Sequence, residues 1–246
     1  MASAIGAVVV GLIFGLIAAI ISVVSGIAVA VVVAVGLYIA LRRLAPAGVA
    51  RSIGATALEP GQLPRVETLL SGLSVTMGVA TPSVAVLVDE VPNAAIISTK
   101  TGPTAVLTTG LVSALSVVEL EGVLAHLLAL QRLEAVERGT SGGGLALLLG
   151  ALGRRGAVSH RLIGQGRLLK ADEVAALAVR YPPGLAAALQ AMEAAGAPAP
   201  SSLFSSPVYD TLRWLFVDPS IGRRSAAEAI GDVDATEVRR RVLAER

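Results

Sequence analysis

Ser116-Val117-Val118-Glu119-Leu120-Glu121-Gly122-Val123-Leu124-Ala125-His126-Leu127-Leu128-Ala129-Leu130 carries the clearest local signal in the chain. Ser116 and Glu119 have the spacing of a capping box, a hydroxyl at the N-cap and a carboxylate three residues on. The spacing predicts a long helix from Val117 to about Arg138. Its apolar positions cover most of the surface before Gln131, and a helix apolar on nearly all sides sits in the middle of a domain. His126 lies in that apolar part.

Working outward, Leu63-Pro64 opens a helix to about Met77, with Val66, Leu69, Leu70 and Leu73 at helical spacing and Gly78 as its stop. Val84 to Val88 is short and β-branched between Pro82 and Asp89, which predicts a strand. Ala94 to Ser98 and Ala105 to Thr108 predict two more, joined by the turn-rich Lys100-Thr101-Gly102-Pro103, and together a small antiparallel sheet. Downstream, 141–153 is apolar but too short to span a bilayer. An interfacial or re-entrant segment flanked by Arg154 and Arg155 fits it, and so does a buried core helix. Helices are predicted over Leu168–Tyr181 and Pro183–Ala194, then a Gly/Ala/Pro/Ser loop over 195–206. The chain ends in a charged helix over 233–246, and Arg239-Arg240-Arg241 read as a solvated face or one drawn to anionic lipid.

The N-terminus has a different character. Of the whole chain 54% is hydrophobic and only 15% charged, and there is no charged residue from Ala4 to Leu41. One helix over that run would be about 57 Å long, too long for one upright span. Ser22 to Gly26 offers a turn, so the reading is a transmembrane hairpin over 1–45, with spans at about 4–21 and 27–43. Arg42 and Arg43 would snorkel from its end. Met1-Ala2-Ser3-Ala4 lacks the basic start of a signal peptide. By the positive-inside rule Arg42, Arg43 and Arg51 put the following domain in the cytoplasm. The Ala/Val/Gly/Arg-rich composition suggests a bacterium, hence the inner membrane. A linker over 46–62 would follow.

The formal net charge of +2 does not argue for nucleic acid. With no cysteine and two histidines, His126 and His160, ligands for a soft metal are scarce.

From Leu63 to about Ala229 the chain resembles the HtpX-type membrane zinc metallopeptidases. The likeness rests on the order of Leu63-Pro64, Met77-Gly78-Val79, Pro92-Asn93-Ala94, Ala105-Val106, Thr108-Thr109-Gly110-Leu111 and Glu119 to His126. It implies a predominantly helical α+β, zincin-like domain over 63–232 with a cytoplasmic protease cleft. In the family a helix carries H-E-x-x-H, two zinc-binding imidazoles around a general base. Here those positions read His126-Leu127-Leu128-Ala129-Leu130, so the base position is Leu127 and the second ligand position Leu130. The family's third ligand, a glutamate in E-A-D-x-x-A, matches Lys170 in Lys170-Ala171-Asp172-Glu173-Val174-Ala175. Asp172, which in the family steadies the zinc helix, is kept. The H-P-x-x-x-x-R element reads Asp218-Pro219 through Arg224, its histidine replaced and Arg224 retained. Asn93 would begin a hairpin beside the cleft.

Zinc hydrolysis needs about three protein ligands and a proton acceptor. The expectation is therefore a membrane-anchored pseudoprotease without a metal cofactor or catalytic residues. His126 is expected to be buried against Asp172, and Lys170 either lies at the surface or fills the emptied site. The partners expected are the lipid bilayer and another membrane protein or multi-subunit complex. The hairpin could hold an extended peptide by strand addition. The alternatives are a metalloendopeptidase with a rebuilt site using His126, His160 and Asp172 or Glu173, and an accessory subunit acting through its hairpin and 141–153.

Overall fold

The structure, a computed structural model, describes residues 23, 25–32, 35–36, 39, 43–151, 163, 166–221 and 236–245. The chain divides into two compact units, Met1–Arg43 and Leu44–Arg246. In the first, the described residues are helical and their large apolar side chains, Val29 and Val32 among them, are exposed.

No helix among the described residues is long and apolar enough to cross a membrane. That finding overturns the expected transmembrane hairpin and the inner-membrane location built on it. The span at 4–21 lies outside the described residues, as do parts of 27–43, Arg42 included. At the start of the second unit the apolar character serves a protein core instead. Residues 44–53, read as the end of a span and the start of a linker, form helix α1. Its Ala45, Val49 and Ile53, spaced four apart, are buried in the unit.

The second unit is built around the helix that opened the sequence reading. α4 (Val117–Arg132) begins with the capping box: Ser116 N donates to Glu119 Oε2 at 2.8 Å, and Glu119 N donates to Ser116 Oγ at 3.4 Å. Leu120 and every residue from Gly122 to Leu130 are buried. Around it pack α2 (Pro64–Met77), α5 (Ala135–Ala151), α6 (Arg167–Ala178) and α7 (Pro183–Ala194). α2 stops where Gly78 takes a left-handed conformation, φ 66°, and its N–H reaches back to the carbonyls of Ser74 and Val75. α4 and α7 meet at small residues. A Cβ on Gly122 would lie 2.7 Å from Leu185 N, and one on Gly184 would lie 2.8 Å from Val118 O.

One local expectation changes, and of the two readings of 141–153 the buried helix is the one observed. The helix predicted to run to Arg138 breaks at Leu133–Glu134, where Glu134 has φ 52°, and α5 restarts the chain in a new direction. The apolar run after Ser141 is then part of α5, a helix buried on one side. A Cβ on Gly144 would lie 2.4 Å from the Ala45 Cβ, and one on Gly143 would meet Leu212 and Leu215. Residues 152 and 153 are outside the described part.

The sheet is mixed rather than antiparallel. β1 (Thr56–Ala57), β2 (Ser83–Leu87), β3 (Ala94–Thr99) and β4 (Gly102–Thr108) lie in the order β1-β2-β4-β3. β3 and β4 form the expected antiparallel hairpin, but β4 inserts between β2 and β3 and runs parallel to β2. A strand's alternation tells which face is apolar and not which edge finds which neighbour. The insertion is held by the 88–93 connection, which passes close over the end of β4. There Gly110 N donates to Asp89 O at 2.9 Å, and the Thr109 hydroxyl donates to the same carbonyl at 2.8 Å. A short helix α3 (Thr109–Ala114) begins at that point, capped by the Thr108 hydroxyl. The chain closes with α8 (Pro207–Leu212), between two single turns of 3-10 helix, and α9 (Thr236–Ala244).

Candidate functional site

His126 stands on the buried face of α4, and α6 brings Asp172 to it. The His126 Nδ1 and Asp172 Oδ1 are 2.7 Å apart. The third member comes from the last helix: Arg239 Nε donates to Asp172 Oδ2 at 2.6 Å and an Nη to Asp172 Oδ1 at 2.9 Å. Its other Nη donates to the Val217 carbonyl. His126 and Arg239 are 0% exposed and Asp172 1%. The result is a closed imidazole–carboxylate–guanidinium relay, each partner neutralising or orienting the next.

Burial pushes the His126 imidazole below its ordinary range. Asp172 opposes that shift, while the charges of Arg239 and Arg167 add to it. The ring is neutral, with Nδ1–H donating to the carboxylate. For Asp172, burial alone would raise the carboxyl, but the charge and hydrogen bonds of Arg239, helped by His126, hold it below the usual carboxylate value. The linkage follows from the His126 shift. Below about pH 6.5 an unfolded chain protonates this histidine and the folded chain does not, so stability falls as pH falls. The loss runs from about pH 6.5 down to the depressed folded value, at most about 1.4 kcal/mol per pH unit. The Asp172 contribution has the same sign but starts only below about pH 3.9. His126→Leu is expected to flatten the stability curve between pH 6.5 and 5 relative to the parent, measured by urea midpoints across pH.

None of the other described positions taken from the resemblance brings a metal-binding group to His126. Leu127 and Leu130 are wholly buried among apolar neighbours, while Lys170 is exposed. Lys170 is therefore at the surface and does not fill an emptied site. Glu173 also faces outward. His160 and Arg224 lie outside the described residues. Among the described residues no three His, Cys, Asp or Glu side chains could hold a metal together.

The donor set can be tested against zinc directly. His126 Nε2, the nitrogen a ligand would use, is buried without a hydrogen-bond partner. The side chains one helical turn away are hydrocarbon. Among the described residues Nε2 meets no carboxylate or second imidazole, and one imidazole does not make a tetrahedral site. The described residues do not fit zinc.

Asn93 and Asp218 prove to be architectural. Asn93 is 0% exposed. Its Nδ2 donates to the Asp218 carbonyl at 2.8 Å, and its Oδ1 accepts from Ala94 N at 2.9 Å and Asp218 N at 3.1 Å. It acts as one extra residue of strand, joining the sheet to the segment around Asp218. Beyond it Val217 N donates to Ala94 O at 2.8 Å, and Ala95 bridges to Phe216. Further along β3, Ser98 N donates to the Thr140 hydroxyl of α5 at 2.8 Å. The β3 edge that would receive an added peptide strand is thus engaged by the chain itself. Asp218 turns its Oδ1 to Ser220 N at 2.8 Å and to the hydroxyls of Ser220 and Thr236, both at 2.6 Å.

Arg239 is the residue that sequence reasoning missed, having placed it on a solvated face with its neighbours. Arg240 does reach the surface and pairs with Glu193 at 2.6 Å, and Arg241 is largely exposed beside Glu237. A signal was present in the helical spacing. Thr236, Arg239 and Leu243 fall on one face, and all three are buried. No protein-family model matches the chain, and no curated protein is significantly similar to it.

Proposed function

We propose that this protein is a peptidase-like protein without peptidase chemistry, working as a binding, scaffolding or accessory subunit of a protein complex. The observation that carries this reading is the closed state of the His126 centre. The one imidazole at a ligand position is tied to Asp172, its remaining nitrogen is sealed in the interior, and the positions of base and second ligand are buried leucines. The resemblance to the HtpX-type peptidases supplies the other half of the reading, that the ancestral framework is a protease domain. Water activation requires an acceptor and a polarising ion beside an open substrate position. Neutral His126 has neither access nor a second group to work with.

The decisive experiment is zinc per chain in the purified full-length protein, after gel filtration without chelator, together with cleavage of an unfolded protein substrate. Zinc well below one per chain and no cleavage above a buffer blank are expected. About one tightly held zinc per chain, or zinc-dependent cleavage abolished by His126→Leu, would overturn the reading.

A further inference from the structure

The last helix differs from α4 and α7 in what holds it. α4 buries an almost continuous apolar surface, and α7 buries Leu185, Ala186, Ala188, Leu189 and Met192. α9, which packs chiefly on α7 and also on α6, buries Thr236, Arg239 and Leu243 among its described side chains, with Val242 partly covered. Polar ties add to that contact. Thr236 donates to Asp218 at 2.6 Å, Arg239 to both oxygens of Asp172 and to Val217 O, and Arg240 pairs with Glu193 at 2.6 Å.

Attraction in a buried ion pair is largely offset by the hydration both ions give up. The offset depends on what happens on separation. If α9 leaves while the rest stays folded, Arg239 regains water at once, and Asp172 is opened to it along the face that α9 covered. The charges then recover what docking cost them. A helix fixed by apolar area has no such return. Local opening of an element with few apolar contacts is the expected low-energy excursion of a folded domain.

We propose that α9 is a charge-locked strap. It is tied to α6 through Arg239 and undocks as a unit, uncovering the His126–Asp172 pair. The groups facing the lock are His126 from α4, Asp172 and Arg167 from α6, and Asp218 beside Thr236. Glu193 of α7 and Glu237 and Arg240 of α9 lie at its rim. This inference does not need the proposed function. It concerns how the centre is closed, whatever the centre does.

Native-state hydrogen exchange on the full chain, read by mass spectrometry of peptides, tests it. Amides of Thr236–Ala244 are expected to exchange at least tenfold faster than those of Val123–Leu130, through an opening that leaves α4 protected. Equal protection of the two helices would overturn the proposal, because α9 would then open only with the whole domain. Arg239→Leu is expected to speed α9 exchange a further tenfold or more with α4 unchanged. Arg241→Ala, which alters an exposed pair, is expected to change neither. An Arg239→Leu variant that loosens both helices together, or neither, would equally overturn it.

Discussion

Asn93→Ala is expected to lower the stability of the domain by about 3–5 kcal/mol, which for a unit of this size is a fall of about 10 °C or more in Tm. Asn93 is not exposed to any cleft. Its amide makes three hydrogen bonds, to Asp218 O and from Ala94 N and Asp218 N, between 2.8 and 3.1 Å. Alanine would leave the buried Ala94 and Asp218 N–H groups without partners and the Asp218 carbonyl with only the Tyr209 hydroxyl at 3.1 Å, and no water could replace the amide unless the Asp218 segment moved away from β3. Each stranded group costs about 1–3 kcal/mol. Asn93→Asp is expected to be at least as damaging, because a buried carboxylate oxygen would then face the Asp218 carbonyl. Thermal unfolding followed by circular dichroism reads both. A Tm within about 1 °C of the parent for Asn93→Ala would contradict the architectural role.

Gly110→Ala is expected to cost about 3 kcal/mol or more, at the upper end of what overpacking does, since every close neighbour is main chain. A methyl group there would come within 1.9 Å of Glu90 O and 2.4 Å of Glu90 C. The glycine does not need an unusual φ. It needs the absence of a side chain, so that the 88–93 connection can pass over the start of α3. Relief requires that connection to lift, which breaks the Gly110 N–Asp89 O bond and the paired bonds between Asp89 and Thr109. It would also disturb Asn93, the next anchor along the same loop. Urea unfolding is the measurement, with Gly72→Ala as a control because nothing lies within 4 Å of a Cβ there. Equal midpoints for the two variants would show that the crossing is not a close one.

Much of the helical scaffold could be read from local pattern. The capping box at Ser116, the stop at Gly78 and the apolar spacing of α2, α6 and α7 are short-range signals, and each element stands within a few residues of where its pattern puts it. The pairing of His126 with Asp172 was also legible, because a lone imidazole on an apolar helix requires a buried partner. The end of α4 was less so. Leu133 and Glu134 continue the composition of a helix, and the turn between α4 and α5 is set by a left-handed Glu134 with no glycine to announce it.

Other features depend on contacts between residues far apart in the chain. Hydrophobic run length near the N-terminus suggested lipid, but in α1 the same kind of residue covers the glycines of α5, and a count of apolar residues does not say what will cover them. The parallel pairing of β2 with β4 follows from where the 88–93 connection can cross. The fate of the three consecutive arginines follows from geometry too. A helix places neighbours about 100° apart, so Arg239 reaches Asp172, 67 residues back, while Arg240 and Arg241 meet the surface. Local pattern was enough to place α2, α4, α6, α7, β2, β3 and β4 and to mark their apolar faces. Only the tertiary structure decided the strand order, the closure of β3 by Phe216 and Val217, and the burial of a guanidinium beside the histidine. The physical reason is that periodicity reports the face an element must hide, whereas the partner that hides it is chosen by packing across the whole chain.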